Sequence, residues 1–184
     1  MNNLIMTDDQ LIHRIRDGDI GAFEELVLRY QKPIYTFVLR MLKNPMDAED
    51  TVQKVFLLAY QNLKGFRFES SFKTWLFRIS INQCHNHFRQ QKKREFTPLE
   101  EIPIADPQIS QEDAYSRKEL RGQAQKAIEK LPPKQKMVLL LRVDQDLSFE
   151  EIGKALNMRA NSAKVNFHYA LEKVKDWIKT RHET

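Results

Sequence analysis

Residues 65–94, GFRFESSFKTWLFRISINQCHNHFRQQKKR, gather three kinds of side chain that act together on nucleic acid. Over 64–94 the basic residues Lys64, Arg67, Lys73, Arg78, Arg89, Lys92, Lys93 and Arg94 stand against one carboxylate, Glu69. That is +7, where the whole 184-residue chain carries +5. Among the charges are Phe66, Phe68, Phe72, Trp75, Phe77 and Phe88, with carboxamides at Asn82, Gln83 and Asn86. Cations attract phosphate, flat rings accept unstacked bases, and carboxamides hydrogen-bond to base edges. The stretch therefore reads as a surface for a strand whose bases are at least partly unpaired. A competing reading takes the rings as core. Trp75, Leu76, Ile79 and Phe88 fall at helical spacing, and Trp75 and Ile79 read mainly as packing residues. Phe66, Phe68 and Phe72 follow no period and suit either ligand contact or anchorage of a loop. The charge excess argues for the binding role, because a solvated face ordinarily mixes signs.

A second stretch, LSFEEIGKALNMRANSAKVNFHYALEKVKDWI over 147–178, has the form of a helix-turn-helix. Ser148 and Glu151 make a capping box, and Ile152, Ala155 and Leu156 give the short helix an apolar face. Asn157 can take the left-handed conformation that closes a helix. A four-residue turn then leads to a helix from about Asn161 to Lys179, with Ala163, Phe167, Ala170, Leu171 and Val174 inward. Small Ala155 is the expected point of close helix approach. Outward at the start of the long helix are Asn161, Ser162, Lys164, Asn166, His168 and Tyr169, groups able to reach base edges and phosphates in a major groove. An ordinary helical hairpin would also expose a polar face. Residues 116–184, with fifteen Lys/Arg against nine Asp/Glu, favour DNA.

Other chemistry finds little support. Cys84, His85 and His87 sit at offsets that scatter side chains around a helix, so no metal site is expected. There is no Ser/His/Asp arrangement, no Walker-type loop and no pair of carboxylates spaced for acid–base work, so neither a catalytic residue nor a cofactor is expected. Asp47, Glu49 and Asp50 read as charges favoured by a helix N-terminus. The lone cysteine permits no internal disulfide and suits a reducing cytosol, with Cys84 read as a buried inert thiol. The start, MNNLIMTDDQ, lacks the features of a signal peptide, and no apolar run approaches a membrane span, which together point to a cytoplasmic protein.

The elements that position these stretches read as all-α. Apolar content is 41%, enough for packed cores, and five glycines supply sheet turns poorly. Thr7–Gln10 has capping-box form and starts a helix with Leu11 and Ile15 inward, ending at Gly18. A second helix is expected from about Ile20 to Gln31 and a third opening at Pro33, with Ile34, Phe37, Val38, Met41 and Leu42. Asn44-Pro45 breaks that one and starts a fourth over 46–63, with Val52, Val55, Phe56, Ala59, Tyr60 and Leu63 inward. Gly65 ends it, a loop covers 66–71, and a long helix runs from Phe72 into the 90s. Residues 95–115 carry six carboxylates, no Lys or Arg, and prolines at 98, 103 and 107, which forbid a continuous helix. They read as an acidic linker between two small helical domains. A helix over 116–130 follows, stopped by Pro132-Pro133, and then an apolar one over Met137–Val143.

Taken together these stretches resemble the bacterial sigma-70 family, and within it the extracytoplasmic-function (ECF) group. DAEDTVQKVFLLAYQNLKGF is similar to the core-polymerase-binding part of that family's region 2. GFRFESSFKTWLFRISINQCHNHFRQQKK is similar to the part that meets the promoter −10 element, and the helix-turn-helix resembles the region 4 reader of the −35 element. The resemblance spans nearly the whole chain in order, and the length fits a member lacking the intermediate regions. It implies a non-catalytic subunit that directs RNA polymerase to promoters and helps open the duplex. Its domains would be 1–94 for region 2, 95–115 for the linker and 116–184 for region 4. Contact with core polymerase, through its beta and beta-prime subunits, would fall on Asp47, Glu49, Asp50, Gln53 and Phe56. A flipped −10 base would be taken by the loop Arg67, Phe68, Glu69, Ser70 and Ser71 with Asn82 and Asn86, while Arg78, Arg89, Lys92 and Lys93 hold phosphate. Ser162, Lys164, Val165, Asn166, His168 and Tyr169 would face the duplex −35 element. A cognate anti-sigma protein is a further implied partner.

The chain departs from the family pattern in places. Lys54 stands where an acidic residue is usual, and Ala160-Asn161-Ser162 replaces a small–Gly–Thr start to the recognition helix. Asn166, Tyr169 and Leu171 occupy positions often arginine, and Val165 one often Ser or Thr. The −35 preference therefore need not follow the group's usual AAC-type motif. A rival assignment is a stand-alone helix-turn-helix regulator whose N-terminal domain binds a ligand or dimerises; it would bind duplex operator DNA tightly by itself.

Overall fold

The structure, a computed structural model, describes residues 6–94 and 122–182, and among them regular structure is helical throughout. The described chain divides into two compact units, an N-terminal one holding the first four helices and a C-terminal one holding the remainder apart from one turn of its third helix. The linker expected over 95–115, and the first residues of the helix expected from 116, lie outside the described residues.

In the N-terminal unit, α1 (Asp8–Arg16) begins with the capping box read from its sequence: Thr7 accepts from the Gln10 backbone and Gln10 returns to the Thr7 backbone. Leu11 and Ile12 are fully buried. The helix ends at Arg16, and Gly18, at φ 101°, makes the turn that a residue with a Cβ would resist. Helix α2 (Gly21–Leu42) then runs unbroken through Pro33, where two helices were expected. Proline in a helix interior costs about 3 kcal/mol. Here the apolar face continues across it, through Leu26, Tyr30, Ile34, Phe37, Val38 and Met41, all buried. At about 1.5–3 kcal/mol for each large side chain, burial on both sides of Pro33 outweighs the break.

Lys43 closes α2 in the left-handed conformation, and Asn44 caps α3 (Pro45–Asn62) by accepting from the Asp47 backbone N–H at 3.2 Å. Ala48, Thr51, Val55, Phe56 and Ala59 are buried on α3. Val52 is half-buried and Tyr60 exposed, so the inward face lies rotated from the one expected. A single 3-10 turn, Leu63–Gly65, ends the helix. Helix α4 (Phe72–Arg94) buries Phe72, Leu76, Phe77, Ile81 and Cys84. Helix α2 packs against α1, α3 and α4, and the Phe37 and Phe77 rings meet edge-to-face at 5.4 Å.

In the C-terminal unit, α5 (residues 122–129) precedes α6 (Pro133–Val143), which starts four residues before the expected Met137. Pro133 takes the first helical position, where a missing N–H costs nothing. Helices α7 (Phe149–Leu156) and α8 (Ala160–His182) follow, joined by residues 157–159. Leu131, Leu139 and Ala170 form a core with Ile128, Phe167, Leu171 and Val174 against it.

Candidate nucleic-acid interface

The loop between the 3-10 turn and α4 is held at both ends. Phe66 and Phe72 are buried, and their rings stand 5.2 Å and 5.7 Å from Trp75; Phe72 also meets Tyr30 at 5.6 Å. Of the two roles left open for these phenylalanines, the structure selects anchorage. Trp75 and Ile79 are half-buried. At the far end Ser71 caps α4, accepting from the Thr74 backbone N–H at 3.2 Å with its hydroxyl 2.8 Å from that of Thr74. Between these anchors Arg67, Glu69 and Ser71 are exposed and Ser70 is half-buried. Phe68 is half-buried with φ at 56°. A bulky residue in the left-handed region costs about 1–3 kcal/mol and persists only where its surroundings impose it.

Arg78, Asn82, Asn86 and Arg89 follow one another at intervals of four, four and three residues, which puts them on one stripe of α4. The stripe is about 16 Å long at 1.5 Å per residue. Arg78, Asn82 and Arg89 are exposed and Asn86 is half-buried, with its carboxamide oxygen accepting from Arg89 at 3.1 Å. That bond uses the Asn86 oxygen and not its amide hydrogens. Lys92 and Lys93 continue the helix, and their side chains lie outside the described residues. Cys84 is buried while His85 is exposed, so the Cys84-His85-His87 group diverges.

On α3, Glu49, Asp50 and Gln53 are exposed and Asp47 is half-buried, its carboxylate 3.7 Å from Nε2 of His87 on α4. Phe56 is 9% exposed and belongs to the core. The large apolar side chains open on this helix are Met46, Leu57 and Tyr60.

In the helix-turn-helix, Ser148 and Glu151 form the expected capping box, and Asn157 closes α7 in the left-handed conformation with φ at 51°. Ser162, Lys164, Val165, His168 and Tyr169 are exposed near the start of α8. Asn166 is half-buried and donates to the Ser162 carbonyl at 2.8 Å, so part of its hydrogen-bonding capacity is used within the helix.

Several positioning residues had no role assigned from the sequence. A close backbone approach at the turn falls on Gly153, which had no role assigned beside the buried Ala155. An isolated glycine near the end of an apolar helical pattern is a signal that could have located it. Arg142 donates to the Leu147 carbonyl at 3.1 Å and lies 5.5 Å over the Phe149 ring, fixing the approach to α7. His13 and Arg16 of α1 reach the loop that precedes α4, a juxtaposition across some fifty residues that no local pattern signals.

Two buried groups have displaced acidities. Burial pushes the Cys84 thiol up to about 12. The Tyr30 phenol is raised by burial and then by its hydrogen bond to the Asp8 carboxylate.

Comparison with known proteins shows the family to which both units belong. Sigma-70 region 2 matches residues 26–94, and Sigma-70, region 4, matches 121–174. The chain is 32% identical over 177 residues to the ECF RNA polymerase sigma factor SigW of Bacillus subtilis, covering 91% of this chain and 95% of that protein. It is 31% identical over 180 residues to the ECF RNA polymerase sigma-E factor of Escherichia coli K12, covering 92% and 93%. Among solved structures, the Bartonella quintana sigma factor RpoE in complex with the anti-sigma factor NepR shares the fold. Its TM-score is 0.73 at 20% identity, covering 87% of this chain and 98% of that one. CnrH in complex with the cytosolic domain of CnrY does so at 0.70 and 21%, covering 92% and 96%. The chain belongs to the sigma-70 family. Within that family it is an RNA polymerase sigma factor of the ECF type.

Proposed function

We propose that the N-terminal unit docks on core polymerase and captures an unpaired −10 base, while the C-terminal unit lies in the major groove of the −35 element. The domain division would be 1–94, 95–115 and 116–184, with the acidic segment as a tether. The observation that carries the −10 assignment is the stripe of exposed Arg78, Asn82 and Arg89 with half-buried Asn86 on α4, on the helix that the loop Arg67–Ser71 leads into. Guanidinium groups at both ends suit phosphates, and carboxamides between them suit the edge of a base that has left the stack. Core docking uses Glu49, Asp50 and Gln53 with the exposed Leu57 and Tyr60, and Phe56 supports that face from within. On α8, Ser162, Lys164, Val165, His168 and Tyr169 are open to a groove.

The protein acts as a non-catalytic specificity subunit in the cytoplasm. Core polymerase beta and beta-prime subunits and promoter DNA are its partners, and an anti-sigma protein restrains it. The solved neighbours that share its fold include a sigma factor bound to an anti-sigma factor, which supports that last assignment. Among the described residues no helix is long and apolar enough to cross a membrane. The stand-alone regulator is not favoured, since both matched regions are those of a sigma factor. Run-off transcription with purified core polymerase on a pool of genomic promoters tests the proposal. The expected result is promoter-specific initiation with core, and weak binding of the isolated chain to the same duplexes. Tight duplex binding by the chain alone, without initiation, would support the rival.

A further inference from the structure

The base-capturing loop contains a bulky residue, Phe68, in a backbone conformation that suits glycine. Three groups surround its ring. His13 stacks on it with centroids 5.2 Å apart and planes 15° from parallel. Phe66 meets it edge-on at 4.9 Å, and the Arg16 guanidinium carbon lies 5.0 Å from its centroid. The same guanidinium donates to the carbonyls of Leu63, at 3.3 Å, and Phe66. One planar cation thus ties the end of the 3-10 turn, the start of the loop and the Phe68 ring to α1. The ring's neighbours are protein groups, so Phe68 serves the loop's shape instead of offering a platform to a base.

We propose that Arg16 and His13 are positioning residues for −10 recognition: through Phe68 they hold the loop in its capture conformation before DNA arrives. This rests on the reading of Arg67–Ser71 and Asn82 as the base-capture site. The physical reason is preorganisation. A flexible loop would have to be ordered at the moment the base leaves the duplex, and the cost would be subtracted from affinity. A clamp built into the free protein removes it. Both carbonyls accept from Nη2 of Arg16 while the guanidinium carbon lies near the Phe68 ring, so the planar group spreads its contacts over several atoms, and a lysine would have to make all of them with one compact, more strongly hydrated ammonium.

The test uses the full chain reconstituted with core polymerase and a labelled single-stranded oligodeoxynucleotide. The oligonucleotide carries the −10 non-template sequence selected by wild-type holoenzyme from a random pool. The readout is the ratio of affinities for this strand and for the same strand with the captured base replaced. Arg16→Lys is expected to lower that ratio about tenfold, and His13→Ala, at an exposed position, about threefold, with affinity for core within twofold of wild type. Loss of core affinity in parallel in Arg16→Lys would mark a general structural defect; His13→Ala then decides, since an unchanged ratio in that variant overturns the proposal. An unchanged ratio in both, with a reduced ratio in Asn82→Ala, would overturn the clamp and leave base capture standing. An unchanged ratio in Asn82→Ala and Ser70→Ala as well would defeat the base-capture reading and the clamp with it.

Discussion

Gly153 and Met158 approach so closely across the turn between α7 and α8 that a Cβ on Gly153 would lie 2.7 Å from the Met158 carbonyl oxygen. Backbone, not the end of a movable side chain, occupies the space. The Gly153 carbonyl also accepts from the Met158 N–H at 2.9 Å, so the turn cannot open without losing that bond. Alanine in a helix interior ordinarily gains about 0.5–1 kcal/mol over glycine. Gly153→Ala is nonetheless expected to destabilise the C-terminal unit by about 1–3 kcal/mol, the usual cost of overpacking. Hydrogen exchange of α7 and α8 amides measures it; equal or slower exchange would show that the turn relaxes freely.

Asn82 is exposed, which separates its proposed DNA role from the fold. Asn82→Ala is expected to cost about 1–3 kcal/mol of discrimination at one −10 position if the carboxamide reads a base. Thermal stability and core affinity should stay at wild-type values. A uniform loss across all −10 sequences would instead assign Asn82 to the phosphate backbone.

Lys164 is exposed on the second turn of α8. Removing one phosphate contact flattens the dependence of log affinity on log salt by about 0.9. Lys164→Ala should show that change in binding of −35 duplex by holoenzyme. A slope equal to wild type would take Lys164 off the DNA-facing side.

The Cys84 thiol, from an ordinary 9.0, is raised by burial to about 12 in the folded protein. The folded state therefore holds the proton more tightly than the unfolded chain. The corresponding stability is fully present below pH 9 and is lost as pH rises toward 12. Wild type should lose stability more steeply than Cys84→Ala between those values, as read from denaturation midpoints. In the native protein iodoacetamide should label Cys84 only as fast as the N-terminal unit unfolds. Rapid labelling at pH 8 would contradict its burial.

Much of this was readable from local chemistry. Thr7 with Gln10 and Ser148 with Glu151 announce two helix starts because a capping box is satisfied within four residues. Asn157 announces a helix end for a similarly local reason. The polar stripe of α4 proposed to face DNA was legible as a candidate because charge excess and carboxamides are visible without coordinates. What escaped depended on packing between distant segments. Pro33 looked like a helix start, since its penalty is local, while the burial that overrides it comes from α1, α3 and α4. The half-buried place of Val52 and the outward placing of Tyr60 follow from how α3 is rotated against its neighbours. Arg16 escaped for the plainest reason, as its partners are the carbonyls of Leu63 and Phe66.

Nine residues of α1 make about two and a half turns, too few for a helix to persist alone in water. It survives because Asp8 is clasped by Arg29 and Tyr30, and because Leu11 and Ile12 are covered. The loop proposed to meet the promoter is thereby answerable to this short helix. On the proposed assignment, a protease or rival surface that lifted this short helix from its bed would blunt promoter choice, while the side of α3 proposed to meet polymerase kept its shape.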